Sequence, residues 1–595
     1  MTKKKSILTR ASIIYVMLLL IGVAIIAQII RLQYIRDYKQ AVKIDYEEVE
    51  ANRGSILARD GRLLATSIPY YQLRIDCMAD KRADTFLHYV DGLSKALSNF
   101  FGDKTAAQYK QELMAARQAG NRYKALGNRD VDYKELNTIK QFPLFHLGAN
   151  RGGIIAVQKN KRKYPYGRLA FRTIGFVNNQ GEGVGIEHSY DFYLKGQPGK
   201  QIVRRLPGGE KAPLNNTPLI RPQDGYDIQT TIDVDIQEIT ESSLRAQLSK
   251  SPVFEGATAV VMEVKTGAIR AISNMKKTED GNFDESYNYA IGAATEPGST
   301  FKLATLIALL EGDHVTLSTK VNAGNGRWEY AGKTFSDVTQ VGFGNINVLQ
   351  AFAKSSNVSF AQLAVKHFGG KEKEFVDRLY NMKLRENYNI EILGEGQAMI
   401  RYPTDNMWSK LSLPMMSIGY EVLLTPLHTL TFYNAIANGG KMMKPYFIEN
   451  MQRHDKIEKN FHPQVLSGAI CSKSTVDSVQ KALRYVVKEG TAKAIDDTRY
   501  AISGKTGTAQ IAFDGKFVDN DGYRKHQASF VGFFPADNPR YTMIVVLYTR
   551  KTRDNFYGGT WAAPVFKQIA DKIYSMSIDW YEPISRQSIK MANNQ

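Results

Sequence analysis

From Ala11 to Ile30 the chain runs through one nearly uninterrupted apolar stretch. At a rise of about 1.5 Å per residue, twenty such residues span a hydrocarbon core of roughly 30 Å, so the stretch is predicted to be a membrane-spanning helix. Lys3, Lys4, Lys5 and Arg10 precede it. The positive-inside rule then predicts a cytoplasmic N-terminus, with everything after Ile30 outside. A cleaved signal peptide is the competing reading. The stretch is longer than a usual h-region and no clean small-x-small site follows it, which favours an uncleaved anchor. No second run of this length occurs, so a single-pass protein is expected.

The 595 residues exceed what one core can hold and predict two to four domains. Hydrophobic residues at 43% and charged residues at 23% describe a globular chain. The net charge of +19 raises the question of nucleic acid, but the basic residues are spread along the sequence. The densest cluster, Lys159 to Lys163, is short, and there is no zinc finger, RNP string or heptad-bearing basic region. A basic extracytoplasmic surface facing anionic lipid or wall polymer accounts for the charge without nucleic acid. Cys77 and Cys471 lie far apart, which argues against a disulfide framework. No H-x-x-x-H or C-x-x-C occurs, so no metal site is expected.

After the anchor, extended pieces such as Tyr71 to Ile75 and a helical stretch near Ala106 to Gln118 form a mixed region. Gly- and Pro-bearing stretches, Gly196 to Gly199 and Leu206 to Gly209, close it, and Asn215 to Gly225 reads as a connection. A second domain then opens with a helix after Thr231-Ile232-Asp233. Strand-like runs Ala257 to Val264 and Ala268 to Asn274 follow, joined as a hairpin by Lys265-Thr266-Gly267. Its middle is helix-rich, and its end returns to strands (Gln527 to Pro535, Tyr541 to Thr549) before a last helix near Ala562. Strands at both ends with helices between predict an α+β fold, with a mainly antiparallel sheet sandwiched by helices.

Three short strings stand out inside this domain: Ser299-Thr300-Phe301-Lys302, Ser355-Ser356-Asn357 and Lys505-Thr506-Gly507-Thr508. Each alone is weak; together, in this order, they form the S-x-x-K, S-x-N, K-T-G set of acyl-transfer serine enzymes. Ser299 is expected in the first turn of a helix ending at Gly312, with Lys302 on the same face. A serine hydroxyl needs a base, and a lysine serves only if burial or a second cation, here Lys505, lowers its pKa far below about 10.4. For Ser355 and Asn357 two readings stand: polar groups aimed into a cleft, or local capping. The third string alternates like a strand on which a peptide could pair, although such a Gly-rich string could also form a turn.

The residues resemble a known family, the class B high-molecular-weight penicillin-binding proteins, from the anchor to about residue 575. Arg53 to Ala65 looks like the family's R-G-x-I-x-D-R-N-G-x-x-L-A, departing at Ala58 and Asp60. Arg162 to Gly167, Gly183 to Glu187 and Leu194 to Gly196 match other non-catalytic motifs. Glu296 to Lys302, Gly504 to Thr508, Tyr557 to Gly559 and Ala562 to Phe566 match its catalytic domain.

The resemblance implies a peptidoglycan DD-transpeptidase without metal or cofactor. It implies a cytoplasmic tail at 1–10, an anchor at 11–30, a non-catalytic, dimerisation-like pedestal at 40–220, a transpeptidase domain at 225–578 and a tail at 579–595. By analogy Ser299 attacks the carbonyl between two D-alanines, Lys302 takes its proton, and Ser355 relays one to the leaving D-alanine. Asn357 and Lys505 complete the catalytic set. Backbone N–H groups of Ser299 and Thr508 form the oxyanion hole, and Lys505 and Thr506, with Gly507 and Thr508 beside them, hold the substrate. The implied partners are stem peptides and the lipid-linked precursor, β-lactams, and a SEDS-type (FtsW-like) glycosyltransferase with other division proteins of the membrane. Glu296 before Pro297 looks like the septal, FtsI-type enzymes; an elongation-type enzyme, a serine β-lactamase and a β-lactam sensor or non-catalytic scaffold are the alternatives.

Overall fold

The computed structural model describes residues 2–30, 44–80, 84–205, 211–213, 219–339, 341–511, 517, 521–554 and 556–577. The expected stretch Leu206 to Gly209, the first part of the connection (Asn215 to Pro218) and the tail 579–595 lie outside them. The N-terminal helix spans Thr2–Ile30, and its Ser12–Ile30 portion has a mean hydropathy of 2.9 with none of its apolar window buried in the protein. It is the one helix among the described residues long and apolar enough to cross a membrane, which fits a single-pass anchor.

The chain packs as two compact units. The smaller takes Met1–Ala51, Pro69–Lys159 and Gln197–Gln223; the larger takes Asn52–Ile68, Asn160–Gly196 and Asp224–Gln595. Two stretches of the 40–220 region thus pack with the larger unit.

In the smaller unit, Ile44–Val49, Gly199–Arg205 and Lys211–Pro213 form an antiparallel ladder. Helices Asp84–Phe101 and Ala106–Gln118 pair through Phe86, Val90, Leu93 and Leu97 against Tyr109 and Leu113. The second helix starts where it does because Thr105 and Gln108 form a reciprocal capping box.

The larger unit is built on a six-stranded antiparallel sheet: β1 Phe254–Glu263, β2 Ile269–Lys277, β3 Phe283–Asp284, β4 Ser503–Ile511, β5 Lys525–Phe534 and β6 Tyr541–Thr549. Their order is β3-β2-β1-β6-β5-β4, which leaves β4 at an edge. The predicted hairpin is β1–β2, turned at Gly267, whose φ is +84°. β1, β5 and β6 are buried along nearly their whole length because helices cover them. Helix α1 Val234–Leu248, capped by Asp233, packs on β1 and β2. Six further helices matter to the site: α2 Lys302–Glu311, α3 Val348–Ala353, α4 Asn357–Phe368, α5 Pro426–Ala437, α6 Lys473–Glu489 and α7 Ala563–Met576. α7 lies against α1 and the sheet, α5 against β5 and β6, and α6 against β4. The α+β sandwich expected from the sequence is the fold observed.

Candidate active site

Ser299 does not open the α-helix itself. It lies in a 3₁₀ turn, Gly298–Phe301, that leads into α2 at Lys302. The correction has a chemical consequence: in a 3₁₀ turn residues three apart eclipse, so Lys302 is stacked over Ser299. Lys302 Nζ is 3.0 Å from Ser299 Oγ. The turn is held by the Tyr433 hydroxyl of α5, which donates to the Thr300 carbonyl at 2.8 Å. Gly298 has φ +56°, and a Cβ there would sit 2.8 Å from the Thr508 carbonyl oxygen. Only glycine lets the turn lie this close to β4.

The second string occupies the turn between α3 and α4. Ser355 takes the left-handed conformation (φ +58°), and Ser356 caps α4. Ser356 does the capping, while Ser355 and Asn357 face Lys302. Lys302 Nζ donates to the Ser355 carbonyl and to Asn357 Oδ1, each at 2.7 Å, and lies 3.3 Å from Ser355 Oγ.

The third string is a strand, β4, and not a turn. Lys505 Nζ donates to Ser355 Oγ and to the Thr506 carbonyl, both at 2.9 Å. Gly507 has no room for a side chain: a Cβ would lie 2.3 Å from Ser529 Oγ and 2.8 Å from Thr300 Cγ2. Thr506 Oγ1 is 2.6 Å from Thr491 Oγ1, and the Gly558 N–H donates to Thr508 Oγ1 at 3.3 Å.

Lys302 and Lys505 are both fully buried. Burial pushes the Lys302 amine down to about 7, partly opposed by Asp337. Lys505 is driven well below its ordinary value by burial and then by the charge of Lys302. The hydrogen bonds say what the neutral form of Lys302 does. The Ser355 carbonyl and Asn357 Oδ1 can only accept, so they claim its two N–H groups. The lone pair is then left for the Ser299 hydroxyl. At neutral pH an ordinary lysine is uncharged in about one molecule in 2,500, and an amine pushed down to about 7 is uncharged far more often.

At the Gln510 end of β4 lies a cavity of 280 Å³ lined by Thr295, Glu296, Leu423, Gln510 and Phe517, among others. Burial raises the pKa of Glu296, whose Oε1 accepts the Glu421 N–H at 2.9 Å.

The structure brings all the predicted site residues together. It adds Thr491, Asp337 and Tyr433, which no motif spacing marked; each acts through a neighbour in space far from it in sequence.

Comparison with known proteins agrees with this geometry. Residues 257–571 match the penicillin-binding protein transpeptidase domain, and residues 48–230 match the penicillin-binding protein dimerisation domain. Stage V sporulation protein D of Bacillus subtilis is 30% identical over 70% of this chain and 64% of its own length. The peptidoglycan D,D-transpeptidase FtsI of Escherichia coli is 27% identical over 88% of this chain and 83% of its own. Penicillin-binding protein 2X of Streptococcus thermophilus shares the fold: TM-score 0.73 at 20% identity, covering 89% of this chain and 80% of that one. The chain belongs to the penicillin-binding protein transpeptidase family, and its dimerisation domain ahead of the transpeptidase domain makes it a class B, FtsI-like member.

Proposed function

We propose that this protein is a membrane-anchored peptidoglycan DD-transpeptidase that cross-links stem peptides through an acyl-enzyme on Ser299. The observation that carries this reading is the Lys302 amine, buried, 3.0 Å from Ser299 Oγ, with its two N–H groups committed elsewhere. Neutral Lys302 takes the Ser299 proton as Oγ attacks the carbonyl between the two terminal D-alanines. Ser355 Oγ, between Lys302 and Lys505, passes a proton to the departing D-alanine nitrogen. An amine from a neighbouring stem then displaces Ser299 and forms the cross-link.

The Thr508 carbonyl faces the Ser299 turn. In an antiparallel strand a residue's N–H and C=O point to the same side, so the Thr508 N–H faces the turn as well. With the Ser299 N–H it forms the oxyanion hole. Thr506 and Lys505 take the substrate's terminal carboxylate, and Gly507 keeps β4 close enough to receive it. The arriving carboxylate favours the ammonium form of Lys505. That charge in turn keeps Lys302 neutral.

Glu296 and the similarity to FtsI support a septal role. The N-terminus is cytoplasmic, the catalytic unit lies outside, and the partners are the lipid-linked precursor and an FtsW-like glycosyltransferase with its division proteins. Fluorescent penicillin is the test. The wild type is labelled and Ser299→Ala is not; an unlabelled wild type rejects the reading, and rapid loss of label favours a hydrolase. Depletion in cells yields filaments for a septal enzyme and rounded cells for an elongation enzyme.

A further inference from the structure

Asp337 belongs to none of the three strings, yet it grips the second. It follows the hairpin Arg327–Tyr330 and Lys333–Ser336, where Trp328 lies against Phe335. Its own N–H donates to the Gly326 carbonyl at 2.9 Å, which fixes it at the mouth of that hairpin. From there the carboxylate accepts the Ser356 hydroxyl at 3.0 and 2.9 Å and the Val358 N–H at 3.0 Å. One residue back, the Ser336 carbonyl accepts from Asn357 Nδ2 at 3.0 Å. Consecutive residues of one loop thus hold Ser356, Asn357 and Val358.

What this grip maintains is an unfavourable backbone. The left-handed region is unfavourable for a residue that carries a side chain, and Ser355 sits there at φ +58°. In this conformation both the Ser355 carbonyl and its hydroxyl meet Lys302, with Lys505 also on the hydroxyl. Helix α3 ties the turn from behind through Ser355 N–H to the Phe352 carbonyl and Ser356 N–H to the Ala351 carbonyl. Asp337 ties it from the front.

We propose that Asp337 is a positioning residue for the acylation reaction. It locks the Ser355 turn in its left-handed conformation beside Lys302. This rests on the transpeptidase reading above. The charge of Asp337, from the hairpin loop, acts on Lys302, and the charge of Lys302 acts on Lys505, from β4. The carboxylate favours the ammonium form of Lys302. Removing its charge therefore releases the proton more readily.

The experiment is the rate of acylation by fluorescent penicillin against pH, on the full-length protein, with a thermal melt for each variant. Asp337→Asn keeps the shape and an acceptor for the Val358 N–H. It is expected to move the acid limb of the profile down by about half a pH unit or more. Asp337→Ala also releases the turn and is expected to lower the plateau by about tenfold or more. Ser356→Ala removes only the hydroxyl that Asp337 holds. It is expected to lower the plateau without moving the limb, and it carries the positioning claim if Asp337→Ala does not fold. An Asp337→Asn profile that coincides with the wild type, or moves to higher pH, overturns the electrostatic role. Wild-type plateaus in both Asp337→Ala and Ser356→Ala overturn the positioning role. A wild type that is never acylated defeats the transpeptidase reading instead, so the two failures are distinguishable.

Discussion

The Lys302 amine sits 3.0 Å from Ser299 Oγ, in a place where two fixed acceptors occupy both of its N–H groups when it is neutral. The same contacts that position the amine determine the direction in which it can accept a proton.

This gives acylation a definite pH dependence. Protonated Lys302 has no lone pair, so the rate of reaction with penicillin is low below its pKa and reaches a plateau above it. With burial holding that amine at about 7, the rising limb is expected to be centred near pH 7, far below an ordinary lysine. Stopped-flow acylation between pH 5 and 9 measures it; a rate that climbs only above pH 9 would contradict the arrangement.

Lys505 is expected to matter most for ligands that carry a carboxylate. A charge-assisted hydrogen bond contributes about 1.5–3 kcal/mol, so Lys505→Ala should slow acylation by penicillin about 10- to 100-fold. The methyl ester of the same penicillin has no anion to lose. Its rate should fall less, and equal losses for acid and ester would reject carboxylate binding by Lys505.

Gly507 is a packing requirement of the cleft. The Cβ of Gly507→Ala would meet Ser529 Oγ and Thr300 Cγ2 and so push β4 away from the serine turn. Labelling should drop steeply. Adding Ser529→Ala removes the nearer obstruction and should recover part of the rate, and a strictly additive double variant would show that the clash is not the cause.

Tyr433, on α5, supports the serine turn directly. Tyr433→Phe removes a buried hydroxyl that donates to the Thr300 carbonyl. The loss of about 1 kcal/mol should lower the melting temperature by about 2 °C, with the acylation rate reduced at most a few-fold. Calorimetry and labelling on the same preparation test both numbers.

Much of this was legible in the sequence because it is local. The anchor, the capped helix at Ala106–Gln118, the β1–β2 hairpin and the closing strands each follow from the spacing of apolar residues and turn formers within one continuous stretch. The start of α2 was misplaced by three residues. A 3₁₀ turn and an α-helix share the same apolar spacing over so short a run, so the sequence does not distinguish them. Asp337 and Thr491 carried no signal at all, since an aspartate in a loop and a threonine after a helix are ordinary surface residues until their partners arrive.

The sequence by itself determined which groups are present, a serine, two lysines, a second serine and an amide, and on which local elements they ride. Tertiary structure alone decided their chemistry. An amine becomes a base only when segments as far apart as residues 302, 355 and 505 fold around it, exclude water and occupy its hydrogens. Desolvation is a property of the enclosing volume, and no stretch of chain contains that volume.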